Sequence, residues 1–486
     1  MSSPAAAQEL SPKDAPPRHW IDRYFEITQR GSTVGRELRG GVVTFFAMAY
    51  IIVLNPIILS SGVDKYGHHL SSGQLVTATC ITAAFTTLLM GVIGRVPIAL
   101  AAGLGVNSMV SLQIAPKTTW PEAMGMVTLA GICIMILVAT GLRQRVMAMI
   151  PDGLRKGITM GIGLFILMVG MVDGGFISRV PDAAHTTTPV QLGSDGHLNG
   201  WPVLCFVLGV LLMLVLMARK VPGAVLISIA VVTVVAIIIN TIATIPADSW
   251  GLTIPSWPHK VVAAPDFGLM GKLSLFGGFK EVGILPGILF VFSILLSTFF
   301  DAMGTIMGVT EEAGLLDENG DLPGMSKVLM IDGVATALGG VSSSSGSTAF
   351  VESTTGVGEG ARTGLASVFT GVLFALALFL SPIALVVPQQ AAAPALVAVG
   401  FLILSAHVRS IDWSDYTIGV PVFFTMLVMP LTYSITSGIG AGFIAFTVLK
   451  AATGRVREIP WMMWIVSVIF VVYFALGPIE QALGVG

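Results

Sequence analysis

Ser342-Ser-Ser-Ser-Gly-Ser-Thr-Ala-Phe-Val-Glu352 interrupts a long apolar stretch, and Ala99-Leu-Ala-Ala-Gly-Leu-Gly-Val-Asn107 does the same far upstream. The first is too rich in serine and glycine, and the second in glycine and alanine, to hold a regular helix throughout. A flexible linker is the alternative reading of 342–347. Against it, apolar segments flank the run closely and a glutamate follows, with little room for an external loop. Non-helical backbone at membrane depth persists only where protein or a water-filled cavity satisfies its polar groups. Broken segments of this kind therefore imply a cavity.

The membrane setting follows from composition. Hydrophobic residues make up 54% of 486 positions and charged residues 11%, with a mean hydropathy of +0.87. Soluble domains carry about 25% charged residues, so this chain has too little polar surface to cover a water-exposed globule. Its surroundings are the lipid bilayer. The net charge of −2 gives no electrostatic footprint for nucleic acid. Glycine occurs 56 times, as expected where membrane helices pack through small residues. Cys80, Cys133 and Cys205 lie inside apolar runs with no partner at metal-ligand spacing. His19, His68, His69, His185, His197, His259 and His407 fall in the tail, in loops or at a helix end. No phosphate loop, Ser/His/Asp set or metal motif is present, so neither an enzyme nor a cofactor is expected. The first apolar run begins only near Gly41, too late and too long for a secretory signal, and reads as a retained membrane anchor.

A span needs about 20 apolar residues. On that measure spans fall near 41–60, 73–93, 98–115, 122–142, 157–177, 200–218 and 223–243. A second set falls near 284–308, 327–341, 346–360, 363–386, 393–408, 415–434 and 436–450, and 459–477 reads as a further span or an interfacial helix. Arg23, Arg30, Arg36 and Arg39 precede the first span, and Arg143, Arg145, Arg155 and Lys156 follow the fourth. Arg219 and Lys220 follow the sixth, and Lys450, Arg455 and Arg457 the fourteenth. All fall on one side, which makes that side, and the N-terminus, cytoplasmic. Lys260, Lys272 and Lys280 in the outward loop 244–283 run against the rule. Seven spans followed by seven is the arithmetic of an inverted repeat, since an odd number of crossings turns the second copy over. The two broken segments are third in their halves, and Asn107 and Glu352 stand at nearly the same offset. Paired interruptions of this kind point to a transporter's binding site.

Charges within spans are costly and mark function by default. Asp301 sits in Ser297-Thr-Phe-Phe-Asp-Ala-Met-Gly-Thr305, inside the eighth span, and Glu352 stands where a short helix would begin. The bland readings are a structural aspartate bonded to hydroxyls and a helix-capping acid. Desolvation favours the neutral acid, while helix N-termini and hydrogen-bond donors favour the ionised form. An acid held between these pressures can gain and lose a proton as a site opens to either side. A carboxylate also accepts from ring N–H and exocyclic amine groups, which suits a flat polar heterocycle. Asp332 reads as packing or as a cytoplasmic helix end, Arg95 and Arg362 as short-loop charges, and Asp173 as solvated.

These residues are similar to a known family. Arg30-Gly-Ser-Thr-Val-Gly-Arg-Glu37, Thr44-Phe-Phe-Ala-Met-Ala-Tyr-Ile-Ile-Val-Leu-Asn-Pro56 and Ala102-Gly-Leu-Gly-Val-Asn107 resemble segments of the nucleobase–cation symporter family, AzgA-like branch of adenine/guanine/hypoxanthine permeases. Phe300-Asp-Ala-Met-Gly-Thr305, Glu312-Ala-Gly-Leu-Leu-Asp317, Phe350-Val-Glu-Ser353 and Gly360-Ala-Arg-Thr-Gly364 also fit. The resemblance implies an all-α polytopic fold of fourteen spans in 7+7 inverted repeats, with short strand-like breaks in segments 3 and 10. It places a tail and opening segment at 1–40, a core domain at 41–156 and 284–390, a gate domain at 157–283 and 391–451, and a C-terminal segment at 452–486. It further implies proton-coupled import of purine nucleobases across the plasma membrane by an elevator-like movement, often as homodimers. Glu352 matches the family's substrate-binding acid, Asn107 its polar residue in segment 3, and Phe350 the bulky residue beside the base. Gly103 lies in the segment-3 break, and Asp301 is the second of two acids usual in segment 8. The first of those acids is replaced here by Thr298. Another substrate on the same fold (uracil, xanthine or an anion) and a channel are the competing readings.

Overall fold

In the computed structural model of the protein, the described residues are 19–475 apart from 142–149, 181–189, 195, 222, 244, 252, 259 and 319–321. The tail to Arg18, the loop charges Arg143 and Arg145, His185, His259 and the end of the chain beyond 475 lie outside them.

Each half is built from apolar runs long enough to span. After a short helix α1 (Trp20–Phe25), the first half contains α2 (Val34–Met48) and α3 (Ile51–Ser61), one span bent at Ala49 and Tyr50, and α4 (Ser72–Leu89). Next come strand β1 (Leu100–Ala102), the half-helix α5 (Leu104–Met109), α6 (Trp120–Ala139) and α7 (Asp152–Asp173). Strands β2 (Ile177–Arg179) and β3 (Val190–Leu192) precede α8 (Trp201–Ala218) and α9 (Ala224–Ala243). The second half starts with the short α10 (Gly277–Val282) and the long α11 (Ile284–Glu312), then α12 (Met325–Val341), strand β4 (Ser347–Ala349) and half-helix α13 (Ser353–Gly358). It ends with α14 (Gly364–Ala377), α15 (Ser381–Ala384), α16 (Gln389–His407), α17 (Tyr416–Thr432), α18 (Ile435–Ala452) and α19 (Trp461–Phe474). Ten of these helical stretches are long and apolar enough to cross a membrane.

The expected spans are recovered, with informative differences. α11 runs a further turn to Glu312, and α7 starts at Asp152, five residues before the apolar run. Helices continue past the hydrocarbon into polar sequence, which hydropathy does not mark. The β2–β3 pairing, with Ile177 opposite Leu192 between α7 and α8, was not foreseen. The helix α19 has 14 residues, about 21 Å at 1.5 Å per residue. It packs on α18 through Thr447 and Ser467 (Oγ1–Oγ 2.8 Å) and the rings of Phe443 and Phe470.

At the centre, β1 and β4 pair antiparallel with Leu100 opposite Ala349, Ala101 opposite Thr348 and Ala102 opposite Ser347. The Gly103 N–H donates to Gly346 O (2.8 Å) and the Phe350 N–H to Ala99 O (3.0 Å), extending the ladder at both ends. Two strands leave two open edges, and at membrane depth side chains close them. On the β1 edge, Thr87 Oγ1 both accepts from the Leu100 N–H and donates to Leu100 O, each at 2.9 Å. On the β4 edge, Thr336 Oγ1 donates to Ser347 O (3.0 Å), and Asp332 Oδ1 accepts from the Ala349 N–H (3.2 Å). Thr87 belongs to the second span and Asp332 and Thr336 to the ninth, so each half uses its second span to hold its own broken third. The serine run is buried rather than free. Thr82 Oγ1 donates to Ser342 Oγ (2.6 Å), Asn55 Nδ2 to Ser344 O (3.1 Å), and Ser343 Oγ to Leu269 O (3.1 Å). Ser343 and Ser345 adopt left-handed backbone, φ 61° and 67°, which turns the chain from α12 into β4.

Close contact between spans depends on glycine. A Cβ on Gly364 would lie 2.0 Å from Gly91 O, so α14 and the end of the second span touch backbone to backbone. Arg95, at φ 56°, stacks its guanidinium 4.4 Å over the Tyr24 ring at the adjoining turn. Glu37 is fully buried and caps α14 from a distant helix. It accepts from the N–H groups of Arg362 (2.9 Å), Thr363 (3.3 Å) and Ala366 (3.3 Å). An anion at a helix N-terminus offsets the unpaired donors and the dipole there. Glu37→Ala leaves buried donors unpaired at a cost of about 3 kcal/mol. The expected outcome is a clearly lower melting temperature for the purified protein in detergent, and an unchanged melt would show that the cap contributes nothing.

Candidate functional site

A narrow cavity of about 80 Å³ lies where the broken segments meet the rest of the bundle. Its polar side is made by Tyr50, by Gly103 and the first turn of α5, by Ser297, Asp301 and Thr305 of α11, and by residues 348–352. Its opposite wall is mostly apolar: Ile162 and Ile166 of α7, Val399 and Ile403 of α16, with Thr159 at one end. Ser297, Asp301 and Thr305 are spaced four apart, which puts all three on one face of α11. Gly105 permits the close approach of the apolar wall, since a Cβ there would sit 2.7 Å from Ile162 Cγ2.

Glu352 is the N-cap of α13, two residues beyond Phe350, where the strand ladder ends. Its Oε1 accepts a 2.5 Å hydrogen bond from the Tyr50 hydroxyl. Tyr50 sits at the bend between α2 and α3, is 1% exposed, and lies 6.4 Å from the Phe350 ring centre to centre. Asp301 lines the same cavity, so two acids face it, and among the described residues its lining contains no lysine or arginine. Behind β4, Asp332 accepts from Thr348 Oγ1 (3.0 Å) and from the Ala349 N–H, and its Oδ2 has no partner among the described residues. Asp332 is thus a packing residue at membrane depth that fixes the strand carrying Thr348 into the cavity wall.

Of the residues singled out from sequence, Glu352, Asp301, Phe350 and Gly103 line the cavity. Asn107 and Thr298 are not among its lining residues. Asn107 sits a turn farther along α5 and donates from Nδ2 to Asn55 Oδ1 (2.6 Å); Asn55 in turn donates to Thr79 Oγ1 (2.8 Å). Thr298 is buried, its hydroxyl without a hydrogen-bond partner among the described residues, and its neighbour Ser297 takes the wall position. Tyr50, Ser297, Thr305, Thr348 and the apolar wall were missed. Ser297 and Thr305 were readable from their helical spacing about Asp301. The apolar wall carried no signal, because its residues look like any span. Among the described residues, no group of three or more His, Cys, Asp or Glu stands close enough to hold a metal.

Comparison with known proteins sets this geometry in context. The model of a family described as the Permease family matches residues 35–440. The chain is 37% identical to the adenine permease AdeP of Escherichia coli (strain K12) over 93% of its own length and 95% of that protein. It is 34% identical to the guanine/hypoxanthine permease PbuG of Bacillus subtilis (strain 168), covering 93% of this chain and 98% of that one. Among solved structures, the transmembrane domain of the cyanobacterial bicarbonate transporter BicA matches with a TM-score of 0.59 at 15% identity, over 84% of this chain and 96% of that domain. SLC26A9 matches with a TM-score of 0.59 at 13% identity, over 90% of this chain and 67% of that one. These neighbours share the fold of 7+7 inverted repeats, as expected from the paired breaks.

Asp332 provides a direct check on how the site is held. Asp332→Asn keeps an acceptor for Thr348 and Ala349, whereas Asp332→Ala leaves the Ala349 N–H unpaired. The alanine variant is expected to be less stable than the asparagine variant by about 2 kcal/mol. Equal thermal melts for the two would contradict the strand-holding role.

Proposed function

The chain belongs to this permease family, and on that footing we propose that it is a secondary active transporter importing purine nucleobases (adenine, guanine and hypoxanthine) by proton symport. The family consists of transporters rather than enzymes, and the chain is a multi-pass membrane protein. The observation that carries the reading is the two-acid cavity between a polar strand-and-half-helix wall and an apolar wall. A planar heterocycle needs that combination, with acceptors for its N–H edge and apolar surface for its faces. The purine permeases at 34–37% identity over nearly the whole chain support the same substrate class.

In this reading Glu352 accepts from ring N–H or exocyclic amine, Asp301 adds a second acceptor, and Phe350 packs beside the base. Gly103 leaves room at the strand end. Asn107 acts from behind, through Asn55, and Thr298 bears on selectivity from the adjoining face of α11. Glu352 and Asp301 carry the coupling proton. The polar wall belongs to a core domain (41–156 with 284–390) and the apolar wall to a gate domain (157–283 with 391–451). The cavity then lies on the seam between them, and an elevator-like displacement of core against gate would carry it across the membrane. The setting is the plasma membrane with a cytoplasmic N-terminus, and the assembly a homodimer. Against an anion as substrate stand the two acids and the absence of basic side chains from the lining.

The test is uptake of labelled adenine, guanine, hypoxanthine and uracil in a host lacking its own permeases, with and without a protonophore. Purine uptake abolished by the protonophore is expected, and uptake indifferent to it would overturn proton symport. Glu352→Gln should reach the membrane but lose uptake, because an amide cannot ionise; proton-driven uptake at the normal rate would remove Glu352 from its role. Thr298→Asp, which restores a two-acid pattern on α11, should change the competition profile among the four bases. An unaltered profile would show that position 298 does not set selectivity.

A further inference from the structure

A short polar contact in the cavity joins two of its own residues. The Tyr50 hydroxyl donates to Glu352 Oε1 at 2.5 Å. No lysine or arginine lines the cavity, and Asp301 sets a second acid beside it. The Tyr50 side chain comes from the bend between α2 and α3, 302 residues away in the chain, and its ring is packed near Phe350.

We propose that the Tyr50 hydroxyl stands in for the ligand's N–H donor on Glu352, and so permits the empty transporter to return. The proposal rests on the reading of Glu352 as the base- and proton-binding acid. A symporter releases both base and proton before the unloaded carrier crosses back. On that return Glu352 has lost its proton and the base that donated to it, and it must pass the apolar wall of α7 and α16. An ionised carboxylate moving through such surroundings without a donor is strongly disfavoured. The phenol supplies that donor from within the same moving body, since α2 and α3 lie in the same proposed core as Glu352. With base bound, the ligand's own N–H groups serve, and the phenol is no longer essential. Tyr50 is therefore a positioning residue for the unloaded step, not a determinant of whether base binds.

The consequence is a split between two modes of transport. Net uptake needs the empty return; exchange of one base for another does not. A hydrogen bond to a charged group contributes about 1.5–3 kcal/mol, so its loss slows the return roughly 10- to 100-fold. Tyr50→Phe removes the donor and keeps the ring. In proteoliposomes, exchange of labelled adenine into vesicles preloaded with unlabelled adenine should fall far less than net uptake does. Net uptake into empty vesicles under an imposed proton gradient should fall at least about 10-fold. Tyr50→His, which keeps a donor on a ring, should recover part of the net uptake. A parallel fall in both modes, or no change in either, overturns the proposal. Tyr50→Met, also without a donor, takes the place of Tyr50→Phe if that variant does not reach the membrane, and the same split is required of it. Failure of the wild-type protein to exchange any purine overturns the nucleobase reading itself, a result separable from a wild type that exchanges beside a variant that shows no split.

Discussion

Two open strand edges at the middle of a membrane must be closed, and much of this structure can be traced to how they are. A β1–β4 ribbon of three residue pairs satisfies its inner edges by itself. Its outer edges have no third strand among the described residues. Thr87 serves one side with both lone pair and proton, and Asp332 with Thr336 serves the other. Lipid tolerates irregular backbone only under such cover. The spans that supply these side chains are therefore fixed in position relative to the ribbon, and the half-helices α5 and α13 are fixed by extension.

That constraint explains the distribution of polarity around the cavity. The breaking of segments 3 and 10 frees the chain to aim Gly103, Thr348 and Glu352 at one small volume, while α11 brings Ser297, Asp301 and Thr305 to it on a single face. The opposing helices α7 and α16 remain unbroken and present isoleucine and valine. One wall is rich in hydrogen-bonding groups and the other offers mainly van der Waals contact. The buried Glu37 cap on α14 and the backbone contact of Gly364 with Gly91 tie elements of the polar side to one another.

Buried carboxylates recur with different duties. Glu37 is saturated by three backbone donors and acts as a cap. Asp332 is half-satisfied by the strand it holds. Glu352 and Asp301 face the cavity, where a ligand can complete their hydrogen bonding. The difference is one of accessible lone pairs: an acid whose acceptors are taken by backbone is structural, and an acid with acceptors turned to a cavity is available for binding.

The sequence by itself determined the membrane setting, the seven-plus-seven order, the two breaks and the two acids that line the cavity. Each of these is a local property. Apolar run length, a serine-rich or glycine-rich interruption and a charge inside a span can all be read without knowing what packs where. Tertiary structure decided the partners. Asn107, chosen for its place near a break, donates to Asn55 and is not in the wall, although the residue before it, Val106, is; which side of α5 meets the cavity is set by packing. Thr298 and Ser297 exchange places for a related reason: adjacent residues on a helix point about 100° apart, and only packing decides which faces the cavity. Tyr50 reaches Glu352 across 302 residues, a pairing that no spacing rule encodes. The segments at 99–107 and 342–352 thus announced a site, while the edges of the strands they form, and the side chains that close them, settled which residues it contains.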